Sequence, residues 1–164
     1  MNGQAAAPAV TGDSVTGDSV TGDYGVLEPA NVYLDDLDAM GMLHNSRYAV
    51  LVERAWVSFW LRQDDFDFLA GSVPVGDGFN AVKALAVIYE LPVSAPGEIA
   101  VQLWIERLGR SSMTHGFRIC SADGARTYAH GSRTLVRLDP RTLRPAEWSA
   151  RAVTLAQQLL RRDE

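Results

Sequence analysis

Over residues 48–61 apolar side chains recur at nearly every position, whereas from residue 79 to 138 they recur mainly at every second one. That single change of period restricts the chain more than any other feature. Helical and strand spacings bury different residues, so a run suited to one is poorly suited to the other. The first run holds Val50, Leu51, Val52, Ala55, Trp56, Val57, Phe59 and Trp60. Apolar residues on almost every face predict a helix surrounded by protein. Asn45 or Ser46 offers an N-cap, the polar stretch 62–65 ends the helix, and 71–78 reads as a loop. A short run, Val32, Tyr33 and Leu34, reads as a strand ahead of it.

Beyond the loop, 79–93 reads as a strand closed by Pro92 and the Ala95-Pro96-Gly97 break. Ile99, Val101, Leu103 and Ile105 alternate with Ala100, Gln102, Trp104 and Glu106, as in a half-buried strand. After a turn at Leu108-Gly109-Arg110, Met113, His115, Phe117 and Ile119 share one face of the next strand. Ala122-Asp123-Gly124 signals a hairpin into a last strand over 126–138. Pro140 and Pro145 then lead into an amphipathic helix over 146–162. The order is strand, helix and four strands in a meander: an α+β fold whose antiparallel sheet wraps one long central helix.

At 164 residues the chain suits one domain. Residues 10–24 run Val-Thr-Gly-Asp-Ser twice and then Val-Thr-Gly-Asp-Tyr, a polar, turn-prone repeat that cannot bury a core. The expected organisation is a disordered tail over 1–28, the folded domain over 29–140 and a helical extension over 141–164. Net charge is −5, and three tail aspartates account for part of it, leaving −2 on the remainder. That balance predicts no nucleic-acid surface. No apolar run reaches the roughly 18 residues of a membrane span. The first residues lack the basic and apolar regions of a secretory signal. With Cys120 alone there is no internal disulfide, and a reducing cytoplasm is expected. His44, His115 and His130 are scattered without zinc-like spacing, so no metal or other cofactor is expected.

The chemistry is expected at residues 36–48. Asp36, Asp38 and Gly41 stand between the first strand and the helix start, with His44, Asn45 and Tyr48 following. A carboxylate beside a helix N-terminus can activate a nucleophile while the helix dipole steadies a nearby oxyanion.

The ordered set of these residues resembles the hot-dog fold, and within it the 4-hydroxybenzoyl-CoA thioesterase family. The likeness rests on Asp36-Leu37-Asp38-Ala39-Met40-Gly41, then Asn45, Tyr48 and Glu53-Arg54-Ala55. Tyr89-Glu90-Leu91-Pro92, the 108–112 turn, Asp123-Gly124 and Ala129-His130-Gly131 complete it, over roughly 31–139. The chain departs from many relatives in having Met42 after the motif glycine and His44 where an Asn stands. The resemblance implies hydrolysis of an acyl thioester of coenzyme A or acyl carrier protein, in fatty-acid or polyketide metabolism. It also implies a homodimer or homotetramer formed by sheets meeting edge to edge.

On this reading Asp36 attacks the thioester carbonyl or deprotonates water, and Asp38 holds the turn. Backbone N–H groups of Met42, Leu43 and His44 face the carbonyl oxygen, His44 offers a donor, and Gly41 lets the backbone approach. Asn45 caps the helix, Tyr48 and Glu53 lie within it, and Glu53 meets a buried polar partner. Trp56 is core or lines an acyl pocket, as do Phe59 and Trp60. Arg110, Ser111 and Ser112 compete between a phosphate-binding turn and a solvated one, with Arg133 and Arg137 as further anion partners. A hot-dog hydratase or dehydratase and a non-catalytic acyl-binding module are the alternatives.

Overall fold

The computed structural model describes residues 24–63, 69–70, 73–74 and 76–161. The repeat-bearing tail and the aromatics Phe66 and Phe68 lie outside the described residues. Five strands build one antiparallel sheet: β1 (Val26–Val32), β4 (Asn80–Tyr89), β5 (Gly97–Leu108), β6 (Ser112–Ser121) and β7 (Thr127–Arg137). Two short strands, β2 (Leu69–Ala70) and β3 (Val73–Pro74), pair with each other. The long helix α1 (Asn45–Leu61) packs on β1, β5 and β6, and α2 (Ala150–Gln158) packs on β5.

Strand order in the sheet is β1-β5-β6-β7-β4. Only β5, β6 and β7 therefore form a meander. The expected four-strand meander is corrected, since β4 crosses the sheet to pair with β7 at the far edge. β1 begins at Val26, inside the segment read as tail, and the chain leaves it before Tyr33.

The apolar faces of α1 and the sheet meet in one core. Leu51, Val52, Ala55, Trp56, Phe59 and Trp60 pack with Val101, Leu103, Ile105, Met113, Phe117 and Ile119. α1 is not enclosed as its composition suggested: Glu53, Arg54 and Ser58 form an exposed stripe, with Val50 and Val57 half-buried beside it. β5, conversely, is buried on both faces from Ile99 to Ile105. On its second face Tyr24 meets Trp104 edge-on at 5.3 Å, and Gln102 donates to the Tyr24 carbonyl at 3.0 Å. Arg161 lies 5.1 Å over the Tyr24 ring. A strand covered on both sides loses the value of strict alternation as a guide to burial.

The C-terminal segment is anchored by backbone pairing. Ile105 N–H donates to the Leu159 carbonyl and Arg161 N–H to that of Ile105. α2 is shorter than its sequence pattern, because Ser149 caps it by accepting from Ala152 N–H at 3.1 Å. Asp77 ties this end together, accepting from Ser149 N–H at 3.0 Å and lying 3.1 Å from Arg137 Nε.

One buried ion pair crosses from β1 to the end of α1. Glu28, with its side chain 3% exposed, accepts from Arg62, which is 48% exposed. Arg62→Ala strands that carboxylate in the core. The expected loss is about 2 kcal/mol, below the roughly 3–5 of a fully buried pair because water screens Arg62. A denaturant midpoint unchanged from wild type would contradict it.

Candidate active site

The corner between β1 and α1 is a compact hydrogen-bonded loop. A 3-10 turn, Leu34–Asp36, interrupts the path from strand to helix. Gly41 then takes φ +75°, a left-handed conformation that a side chain resists, and Asp38 accepts its N–H at 2.9 Å through the backbone carbonyl. Asp38 Oδ1 also accepts from Met40 N–H at 2.8 Å and Met42 N–H at 3.1 Å. This is the turn-holding role read for Asp38. Its other oxygen, Oδ2, has no partner among the described residues.

Asp36 is differently placed. It is buried, its Oδ2 accepts from Tyr33 N–H at 2.9 Å, and Arg47 Nε lies 3.3 Å from its Oδ1. Both oxygens are engaged in fastening the 3-10 turn to the helix start. The cleft at the corner, about 380 Å³, is lined by Asp38, Met42, His44, Asn45, Tyr48 and Tyr89 among others, and not by Asp36.

The amides expected as oxyanion donors take part in the same network. Met42 N–H donates to Asp38, Leu43 N–H to the Val93 carbonyl at 2.8 Å, and His44 N–H to the Asp36 carbonyl at 2.9 Å. All three amides already donate within the protein. The next one does not: Asn45 opens α1, so its N–H has no partner a turn earlier, and it has none elsewhere among the described residues.

The cap is His44 rather than Asn45 or Ser46. Its Nδ1 accepts from Ser46 N–H at 3.2 Å, which puts the neutral ring's proton on Nε2, and that atom has no partner among the described residues. His44 and Asn45 are both exposed at the cleft. Tyr48 is buried, with its ring edge-on to Tyr89 at 4.9 Å. Burial raises its phenol pKa, and a backbone hydrogen bond with Val93 opposes that rise. Gly41 shapes the turn without lining the cleft.

The other expected residues lie elsewhere. Glu53 is itself 61% exposed, and it lies 3.6 Å from Nη2 of Arg133, whose side chain is only 12% exposed. Arg137 is likewise matched, to Asp77. Arg110, Ser111 and Ser112 occupy the β5–β6 turn, at the opposite end of the sheet from Tyr89 and Pro92. Arg110 donates to Glu147 at 2.9 Å, and Ser111 accepts from Arg137 N–H. Within one chain this turn does not reach the corner.

Trp56 marks a second cavity, of about 320 Å³, between the later turns of α1 and the β4–β7–β6 face. His115 lines it, an assignment missed in the sequence beyond its inward face. The His115 and Trp56 rings lie 4.0 Å apart, and burial, with the nearby Arg133 charge, lowers the imidazole pKa to about 3. Among the described residues no three His, Cys, Asp or Glu gather as a metal site, and no helix is long and apolar enough to cross a membrane.

Comparison with known proteins agrees with this architecture. A proposed acyl-CoA thioesterase from Xanthomonas campestris is 30% identical, covering 72% of this chain and 96% of its own, with a TM-score of 0.61. A Thermus thermophilus thioesterase, solved with coenzyme A and zinc, is 25% identical over 86% of this chain and 98% of its own, with a TM-score of 0.67. The PA5185 protein of Pseudomonas aeruginosa, 22% identical over 86% and 95% of the two chains, shares the fold at a TM-score of 0.75. No curated protein matches. The thioesterase superfamily pattern matches residues 40–128, more than half of the chain. The protein is a member of the thioesterase superfamily, with the hot-dog fold.

Proposed function

We propose that this protein hydrolyses acyl thioesters of coenzyme A or of a carrier-bound phosphopantetheine, with Asp38 as the catalytic carboxylate. The reading rests on one observation: a carboxylate oxygen without a partner and an unpaired helix N-terminal amide belong to residues lining the same cleft. The thioester oxygen accepts from Asn45 N–H, where the helix dipole favours developing negative charge. Asp38 Oδ2 takes a proton from water as the water oxygen bonds to the carbonyl carbon. The C–S bond then breaks, and the sulfur leaves as a thiolate that takes up a proton. Asp36 holds the turn, which reverses the roles first read for the two acids.

The test is thiol release from a panel of acyl-CoA thioesters, with water addition to an enoyl-CoA followed in parallel. Thiol release supports the reading. Tight acyl-CoA binding with no turnover, or water addition instead of hydrolysis, would overturn it.

The sheet edge supports a homodimer. Among the described residues β4 ends the sheet with an unpaired side, and its Val82, Leu85, Ile88 and Tyr89 are 44–54% exposed. An open apolar edge favours pairing with another strand, and a second copy supplies an identical one. Antiparallel pairing about the middle of β4 brings the Tyr89 end of one copy beside the Asn80 end of the other. The β5–β6 turn of the second copy then lies toward the cleft, where Arg110 would suit the ligand's phosphates. Leu85→Lys, at the strand centre, is expected to halve the solution mass measured by light scattering and to lower kcat/KM at least tenfold. A variant that keeps the wild-type mass and rate contradicts the edge pairing.

A further inference from the structure

The cavity beneath α1 is separate from the cleft, sharing no lining residue with it. Asn45 and Trp56 stand 11 residues apart on one helix, roughly 16 Å at 1.5 Å per residue. Its volume of about 320 Å³ is twice the ~150 Å³ that accommodates one benzene ring. Three of the chain's four tryptophans (Trp56, Trp60 and Trp148) line it, together with Met113 and Leu135. An apolar, aromatic ligand suits those walls.

Its polar groups are more specific. His115 is 2% exposed, and neither ring nitrogen has a hydrogen-bond partner among the described residues. Nε1 of Trp56 and of Trp148 are also buried without partners among the described residues. Buried polar atoms are nearly always hydrogen-bonded, and leaving one unpaired is costly. Three residues with unpaired polar atoms around one cavity point to a ligand that completes them. A neutral imidazole offers one donor and one acceptor, and an indole offers a donor. A hydroxyl or keto oxygen on an otherwise apolar body meets that demand.

We propose that this cavity binds the acyl group of the substrate and selects acyl groups bearing a hydroxyl or keto oxygen, with His115 as the specificity-determining residue. The proposal rests on the thioesterase reading for the identity of the ligand. Edge pairing of β4 supplies the path: Asn80 and Val82, at the cavity mouth, lie at the β4 end that meets the second copy's Tyr89. Glu53 and Arg133, an ion pair at 3.6 Å, and Asp77 and Asn80 also line the cavity, while His115 and the indoles carry its buried polar atoms without a partner among the described residues.

Binding can be tested without turnover, because the cavity tryptophans report on it. Titrating the full-length protein with 4-ethylphenol and with ethylbenzene should quench tryptophan fluorescence, with the phenol binding at least tenfold tighter. His115→Phe should remove that preference while keeping affinity for ethylbenzene, and Trp148→Phe should reduce it. Equal affinities in the wild type, no quenching by either probe, or a preference unchanged in both variants would overturn the proposal. In turnover, aryl-acyl-CoA thioesters with and without a ring hydroxyl should differ at least tenfold in kcat/KM, falling toward equality in His115→Phe. If no thioester is hydrolysed, the thioesterase reading fails, and the fluorescence titration still decides whether the cavity reads an oxygen.

Discussion

Asp38→Asn is expected to lower kcat for thioester hydrolysis by two to four orders of magnitude, about 3–5 kcal/mol of transition-state stabilisation, and to leave KM within a few-fold. The substituted amide keeps an oxygen where Oδ1 accepts from Met40 and Met42 N–H, so the Gly41 turn survives. What disappears is the basic Oδ2 in the cleft. The loss therefore falls on the chemical step and not on folding, and the thermal midpoint should stay within a few degrees of wild type. A variant that retains wild-type kcat would remove Asp38 from the reaction. One that unfolds would show instead that its turn bonds dominate its role.

Gly131→Ala is expected to produce the largest loss of stability. Gly131 lies on β7 between Val87 of β4 and Phe117 of β6. A Cβ there would stand 2.0 Å from the Ala86 carbonyl oxygen and 2.9 Å from Phe117 Cζ. The oxygen is main chain within a paired strand and cannot rotate away, so β4 must separate from β7 or Phe117 must leave its place. Overpacking of this kind costs about 3 kcal/mol, the upper end of the usual range. At this chain length that corresponds to a fall of roughly 6–12 °C in Tm. Because β4 carries Tyr89 at the cleft, activity should fall with it. A midpoint equal to wild type would mean that the strand moves aside at little cost.

Much of the fold can be read from the order of its periods. The helix, the hairpin at Asp123-Gly124 and the inward face of Met113, His115, Phe117 and Ile119 are local patterns, and local patterns survive in a bare sequence. Strand order is not local. Nothing in 79–93 says that this segment crosses to the far edge, and the exposure of Val82, Leu85 and Ile88 follows from that crossing. β5 misled for a related reason, since the groups that cover its second face, Tyr24 and Arg161, are distant in sequence.

The corner itself was legible, but which of its two carboxyls lines the cleft was not. Asp36 and Asp38 are two residues apart and chemically alike. The 3-10 turn at Leu34–Asp36 and the reach of Arg47 separate them, turning one carboxyl into the protein and leaving the other at the cleft. The amides behaved likewise. Those of Met42, Leu43 and His44 already donate within the protein, and helix geometry leaves that of Asn45 unpaired, a distinction visible only once His44 is known as the cap.

The proposed thioester hydrolysis runs on Asp38, with Asp36 as its structural support. The most direct measurement is the rate of thiol release from one acyl-CoA substrate by wild type, Asp38→Asn and Asp36→Asn, side by side at equal folded concentration. The expected result is loss of at least a hundredfold in Asp38→Asn and less than tenfold in Asp36→Asn. Loss confined to Asp36→Asn, with Asp38→Asn as fast as wild type, would contradict the account.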